Sequence, residues 1–343
     1  MSRPTVWFAP PDRALEAVPG MLEKSGFLAG LKPKKRIGLK VHFGEAGNVT
    51  HLDPALVRAA AIAVCHHNLQ PVAVETTALY RGRRQNAADH LALAREHGFT
   101  IADTLTPVEI LDGDHGERYY DVELDSDLVP RARLARGLRR INYLVNMAHF
   151  KGHMVAGFGG VLKNLAMGLA AKAGKLEMHS DSRPFVDADT CVSCGRCVEY
   201  CPVGAIDFVQ YIAAIGEGCT GCGGCLAVCP QGAIRVKWNA ASESVQRKMV
   251  EYCRAVLEGR QVFHFNFGLK VTKNCDCNNA PEEPVMPDIG VFGSLDPVAC
   301  EQAAWDRAGK RLAKLWPKLD PTVLLDAAGK RGLGSRVYRL EEL

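Results

Sequence analysis

Apolar residues fall in short, nearly unbroken runs separated by stretches with helical spacing. Runs at 36–43, 71–76, 141–147, 262–267 and 289–292 predict strands. Stretches at 54–67, 87–97, 242–257 and 296–308 predict helices, two of them opening at Asp53-Pro54 and Asp296-Pro297. Gly157-Phe158-Gly159-Gly160 opens a further helix carrying Lys163 and Asn164, and the strip beyond Pro317 reads as a short helix followed by an extended piece at 335–340. Strands alternating with helices predict an α/β fold, with a mostly parallel sheet and helices on both faces. Residues 182–237 break the alternation. The chain therefore divides into a first part of the α/β body at 1–181, an insert at 182–237 and a second part at 238–343.

Composition changes this picture little. Of 343 residues, 47% are hydrophobic and 23% charged, which excludes a disordered or fibrous chain. No apolar run approaches the roughly 20 residues of a membrane span. The N-terminal stretch lacks an apolar core of the secretory type, so a cytoplasmic location is expected. The formal charge of +4 treats every cysteine as neutral. Two 4Fe–4S clusters on eight thiolates would together contribute about −4, bringing the assembled protein near zero. The basic balance is thus no signal for nucleic acid.

The cysteines carry most of the chemistry. Eight of the 13 form Cys191-x-x-Cys194-x-x-Cys197-x-x-x-Cys201-Pro202 and Cys219-x-x-Cys222-x-x-Cys225-x-x-x-Cys229-Pro230. In such a doubled run, three cysteines of one repeat and the fourth of the other hold each cluster. Cys191, Cys194, Cys197 and Cys229 are therefore assigned to one 4Fe–4S cluster, and Cys219, Cys222, Cys225 and Cys201 to a second. Zinc sites use one or two Cys-x-x-Cys pairs, not two four-cysteine runs. The segment resembles the bacterial two-cluster ferredoxins, which implies an inserted α+β ferredoxin-like domain.

Cys65, Cys253 and Cys300 fall in predicted helices, where a lone cysteine is most often a small buried hydrophobe. Cys275 and Cys277 flank Asp276 on a loop, so a structural role and metal or redox chemistry both stay open. With one residue between them, their side chains would point the same way, as a redox pair or as half of a site for an additional metal. Lys270 and Lys273 are the neighbouring cations expected to favour thiolate. Ligands of open parallel sheets sit beyond the C-terminal strand ends. Lys40, His42 and Glu45 fall there, as do Glu75, Arg81, Arg83 and Arg84, and His149, Lys151, His153, Lys163 and Asn164. The catalytic candidates among these are Lys40, His42, Lys151, His153 and Lys163, with Cys275 and Cys277. Amides at Gly159 and Gly160, the following helix N-terminus and Lys163 could converge on an anion. The run Arg131, Arg133, Arg136, Arg139 and Arg140 reads as a solvated helix face, with a docking patch for an acidic electron carrier as the sharper alternative. Neither a P-loop nor a nicotinamide fingerprint is present.

Several stretches together resemble the family called domain of unknown function 362, in its form with an inserted two-cluster ferredoxin. They are residues 38–45, His149-Phe150-Lys151-Gly152-His153 with residues 160–165, Cys275-Asp276-Cys277, and Asp288-Ile289-Gly290 with residues 294–299. The resemblance implies an iron–sulfur protein with an α/β body and brings no assigned reaction. The expected function is single-electron transfer through the clusters, to or from a body site holding a small anionic substrate, with a ferredoxin- or flavodoxin-like carrier as partner. The alternative is a module that binds or assembles a metal or cofactor precursor, its clusters structural or sensory.

Overall fold

The computed structural model describes residues 3–180, 183–237 and 241–343. The expected domain borders, at 181/182 and 237/238, fall on or beside residues outside these ranges. Eight strands form the main sheet: β1 (Thr5–Ala9), β2 (Arg36–Lys40), β3 (Gln70–Glu75), β4 (Val108–Ile110), β5 (Tyr143–His149), β6 (Gln261–Gly268), β7 (Gly290–Ser294) and β8 (Arg339–Glu342). Their order is β8-β1-β7-β6-β5-β2-β3-β4. Only β7 runs antiparallel to its neighbours, β1 and β6; the other pairings are parallel.

The near-continuous apolar runs have a simple cause: both faces of the sheet are covered. Val72 and Val74 of β3 and Leu144 and Ala148 of β5 face one core. That core also holds side chains of α4 (Val161–Leu169), α6 (Ser242–Leu257), α7 (Pro297–Leu315) and α8 (Thr322–Lys330). Ala73, Val145 and Met147 alternate to the opposite core, with Ile37 and Leu39 of β2 and residues of α1 (Ala14–Lys24) and α2 (Pro54–His66). The Asp-Pro starts behave as expected. The Asp53 carboxylate accepts from the Ala55 amide, and that of Asp296 from the Ala299 amide.

Other features depart from the sequence reading. Strands β1 and β4 were not anticipated. The arginine run is not a helix face: Arg131 and Arg133 lie on a strand (Arg131–Ala135) paired with Tyr119–Glu123, and Arg136–Arg140 form a 3-10 turn. Arg131 pairs with Glu123 at 2.9 Å and Arg139 stacks on Tyr120. Of the three lone cysteines, Cys253 and Cys300 are buried but Cys65 is exposed.

The N-terminus of α4 is not open to a ligand. Glu301 of α7 accepts from the amides of Val161 (2.7 Å) and Leu162 (3.2 Å) and from the Asn266 side chain (2.7 Å). Burial pushes its carboxyl up to about 7 despite these donors. Removing a buried acceptor leaves its donors unsatisfied at about 1–3 kcal/mol. Glu301→Ala is thus expected to lower the unfolding free energy by about that amount, read by chemical denaturation. An unchanged denaturation midpoint would show that α4 does not depend on this cap.

Candidate functional site: a basic cleft beside a cysteine-rich insert

A cavity of about 460 Å³ opens at the C-terminal ends of β2, β3 and β5. His42, Lys151, His153, Lys163, Cys275 and Cys277 all line it, with Glu75, Arg84, His149 and Asn164. Lys40 does not. It lies beneath the floor, fully buried, 2.5 Å from Glu75 and 2.8 Å from the Asn164 side-chain oxygen. The Arg81–Arg84 loop also divides. Arg84 reaches Glu75 at 3.5 Å and touches His42. Arg83 pairs with Glu96 on the surface, while Arg81 donates to the carbonyls of Pro230 and Gln231 in the insert. Glu45 is buried outside the cavity and accepts from the amides of Ala46 and Arg83.

Two buried carboxylates organise the charges. Burial alone would raise Glu75, but Lys40 and Arg84 outweigh it and hold the carboxyl at about 2. Asp276 is likewise kept well below the usual carboxylate range, because His149 and Lys151 override the cost of burial. His149 Nδ1 lies 2.9 Å from Asp276, and its Nε2 lies 2.7 Å from the Leu269 carbonyl. Both oxygens can only accept, so both ring nitrogens donate in this arrangement. Lys151 closes an ion pair with the same carboxylate. Hairpin 151–159 packs tightly on this loop: a Cβ on Gly152 would stand 2.2 Å from the Lys273 carbonyl oxygen.

The remaining groups face the cavity without a counter-ion. His153 Nδ1 accepts from the amides of Val155 (3.2 Å) and Ala156 (3.0 Å), so in the neutral ring Nε2 carries the proton. Burial and the nearby Lys163 push its pKa well below the usual value. His42 is depressed in the same way, by burial and Arg84. Lys163 makes no ion pair or hydrogen bond among the described residues. Burial, reinforced by Lys151, brings it down to about 7. Lys175, absent from the sequence-based candidates, also lines the cavity and bonds only to neutral oxygens, those of Thr76 and Ala170. Cys275 and Cys277 are bonded to each other. Lys273 is turned away to stack on Trp316, and the cations that line the cavity with the pair are Arg84, Lys151, Lys163 and Lys175.

The cysteine-rich segment contains a structural repeat offset by 28 residues, as in the sequence. One-turn helices Arg196–Glu199 and Gly224–Val228 correspond, each preceded by a glycine with positive φ, Gly195 at 77° and Gly223 at 71°. The Cys201 sulfur accepts from the Ala205 amide and the Cys229 sulfur from the Ala233 amide, both at 3.2 Å. Cys191, Cys194, Cys197 and Cys229 line one small cavity. Cys222 and Cys225 lie in the electrostatic reach of Cys201 and Cys219. Among the described residues, no three His, Cys, Asp or Glu side chains converge as a single metal ion would require. The segment is tied to the cleft. Leu79 lines the cavity and also packs in the apolar cluster of Cys197, Cys225 and Leu226.

The sequence pattern that defines one family, described as a domain of unknown function (DUF362), matches residues 37–306. The chain belongs to the DUF362 family. The match takes in the cleft and the cysteine-rich segment and leaves β1 and β8 outside. A comparison with curated proteins returns no match. No helix among the described residues of this DUF362 protein is long and apolar enough to cross a membrane.

An unpaired ammonium with a pKa near 7 gives the cleft a definite pH dependence. Below pH 7 Lys163 is charged and attracts an anion; above it the proton and the attraction are lost. Sulfate keeps its charge over this range and serves as the probe. Its binding is expected to weaken by up to about tenfold from pH 6 to pH 8. Lys163→Ala should weaken it about ten- to a hundredfold at pH 6, since a charge-assisted contact is worth roughly 1.5–3 kcal/mol. Calorimetry showing equal affinity for variant and parent would exclude Lys163 as the anion's partner.

Proposed function

We propose that this is an iron–sulfur redox protein that passes single electrons through two 4Fe–4S clusters, to or from a cleft that binds a small anionic substrate. The observation that carries this reading is the crossed cysteine set. Cys229 joins Cys191, Cys194 and Cys197 around one cavity although it belongs to the other repeat. That exchange of the fourth ligand is the signature of two-cluster sites. The second set would be Cys219, Cys222 and Cys225 with Cys201; Cys201 and Cys219 act electrostatically on Cys222 and Cys225, and Cys197 also acts on Cys225. Such clusters, when bound, exchange one electron each, at potentials that span roughly −700 to +450 mV across proteins.

The chain's own residues supply the rest. Amides of Ala205, Ala233 and Gly221 donate to the sulfurs of Cys201, Cys229 and Cys219, hydrogen bonds of the kind that tune a cluster's potential. Leu79, Leu176 and Leu226 form a buried apolar contact where the insert meets the cleft. In the cleft, Lys163 and Lys175 attract the anion, and His153 offers its Nε2 proton as a hydrogen-bond donor. An external one-electron carrier of the ferredoxin or flavodoxin type would complete the path, with the cytoplasm as the expected compartment.

Anaerobically purified protein is expected to contain about eight iron and eight sulfide per chain. Cys194→Ala should lower both and destabilise residues 183–237, whose apolar core is small and whose order leans on its metal. Stoichiometric zinc without inorganic sulfide would refute the reading.

A further inference from the structure

We propose that Cys275 and Cys277 are a redox-active dithiol/disulfide centre of the cleft rather than a structural crosslink. A crosslink stabilises mainly by closing a long loop, and this one encloses a single residue, Asp276. The loop is already held without it. Asp276 pairs with His149 and Lys151, its carbonyl accepts from the Glu45 amide at 2.8 Å, and the Asn278 amide donates to the Cys275 carbonyl at 2.8 Å. Glu282 accepts from the amide of Asn274 and the side chain of Asn278. Opening the sulfur–sulfur bond therefore leaves the backbone anchored.

Position and charge agree with this role. Both cysteines are half-buried and line the cavity, whereas Asp276 between them is fully buried. Lys151 and Lys163 line the same cavity and favour thiolates over thiols once the bond opens. With its pKa near 7, Lys163 can also hold or release a proton at Nζ at neutral pH. The step balances. The S–S bond breaks as two electrons enter, giving two thiolates that two protons then convert to thiols. The reverse step returns two electrons and two protons to an anionic acceptor in the cleft, and the S–S bond re-forms. The electrons come from a low-potential one-electron donor, and for their route the proposal rests on the function proposed above.

The test is an anaerobic reductive titration of the full chain, counting electrons, with N-ethylmaleimide trapping and mass spectrometry of the peptide containing both cysteines. The expected result is no label before reduction and two labels after it. Uptake should be about four electrons per chain, falling to about two in the Cys275→Ser/Cys277→Ser double variant, whose melting temperature should match the parent's. Bleaching of the clusters with the peptide still unlabelled would overturn the proposal and leave the cluster reading intact. So would two free thiols before any reductant with zinc bound, or a clear loss of thermal stability in the double variant. Absence of iron and sulfide would instead overturn the cluster reading. The disulfide centre would then stand only if dithiothreitol opens the pair reversibly with the fold retained, and fall otherwise.

Discussion

The site depends on one buried carboxylate. Asp276 sits on a loop with little regular structure, yet it is fully buried between His149 at the end of β5 and Lys151 on the adjoining hairpin. Breaking a buried pair by removing one partner costs about 3–5 kcal/mol, because the other charges stay buried and uncompensated. This loop therefore has one docked position. Its backbone carbonyl also accepts from Glu45, which fixes the turn after β2. The two cysteines next to Asp276 are presented to the cavity as a consequence.

A second carboxylate repeats the plan one strand over. Glu75 ends β3 and takes Lys40 and Arg84, while Asn164 of α4 joins Lys40, Asn146 and the Met147 carbonyl. Gly168, further along α4, permits this approach: a Cβ there would stand 2.1 Å from Lys40 Cε. Both acids are consumed by these pairings. The cations left over, Lys163 and Lys175, have no acid within ion-pair distance among the described residues. An excess of positive charge in a partly buried cavity is costly unless an anion enters or a lysine gives up its proton. The low pKa of Lys163, set by burial and Lys151, reflects the second route.

Much of the architecture was legible because the central strands are buried on both faces and read as apolar runs. Strand β1 was hidden by its flanks: Thr5–Ala9 lies between Pro4 and Pro10, and looks like an irregular terminus. Strand β4 is three half-buried residues. Arg131 and Arg133 alternate with Ala132 and Leu134 at the strand period, but Arg136, Arg139 and Arg140 follow at i, i+3 and i+4, so the run taken as one unit looks helical. At the site, the rule of C-terminal strand ends gathered His42, Lys151, His153 and Lys163, and the Cys275–Cys277 pair, singled out by its spacing, lines the same cavity. It could not separate Lys40 from His42, two residues apart. Lys40 still belongs to β2 and is locked to Glu75 below the floor, whereas His42 stands past the strand end. Of the expected anion site, Gly159, Gly160 and Lys163 do line the cavity, but the first amides of α4 are already taken. Their acceptor, Glu301, lies 140 residues further along the chain and carries no local signature.

One short helix shows how the cleft and the insert are held to each other. Residues 172, 175, 176 and 179 of α5 (Lys172–His179) follow the spacing i, i+3, i+4, i+7 and so share one face. Lys172 donates to the Gln85 carbonyl at 2.8 Å, and Gln85 donates to Leu226 of the insert at 2.7 Å. Leu176 packs into the apolar cluster of Cys197 and Cys225, while Lys175 and His179 line the cleft. A single helix face thus touches the cavity, the loop that carries Arg84, and the core around the cysteines. Three of its four residues are polar, so the stripe reads weakly as a core helix in sequence. The polar positions are those that face the cavity and the rim loop, and the one apolar position is the one that enters the insert.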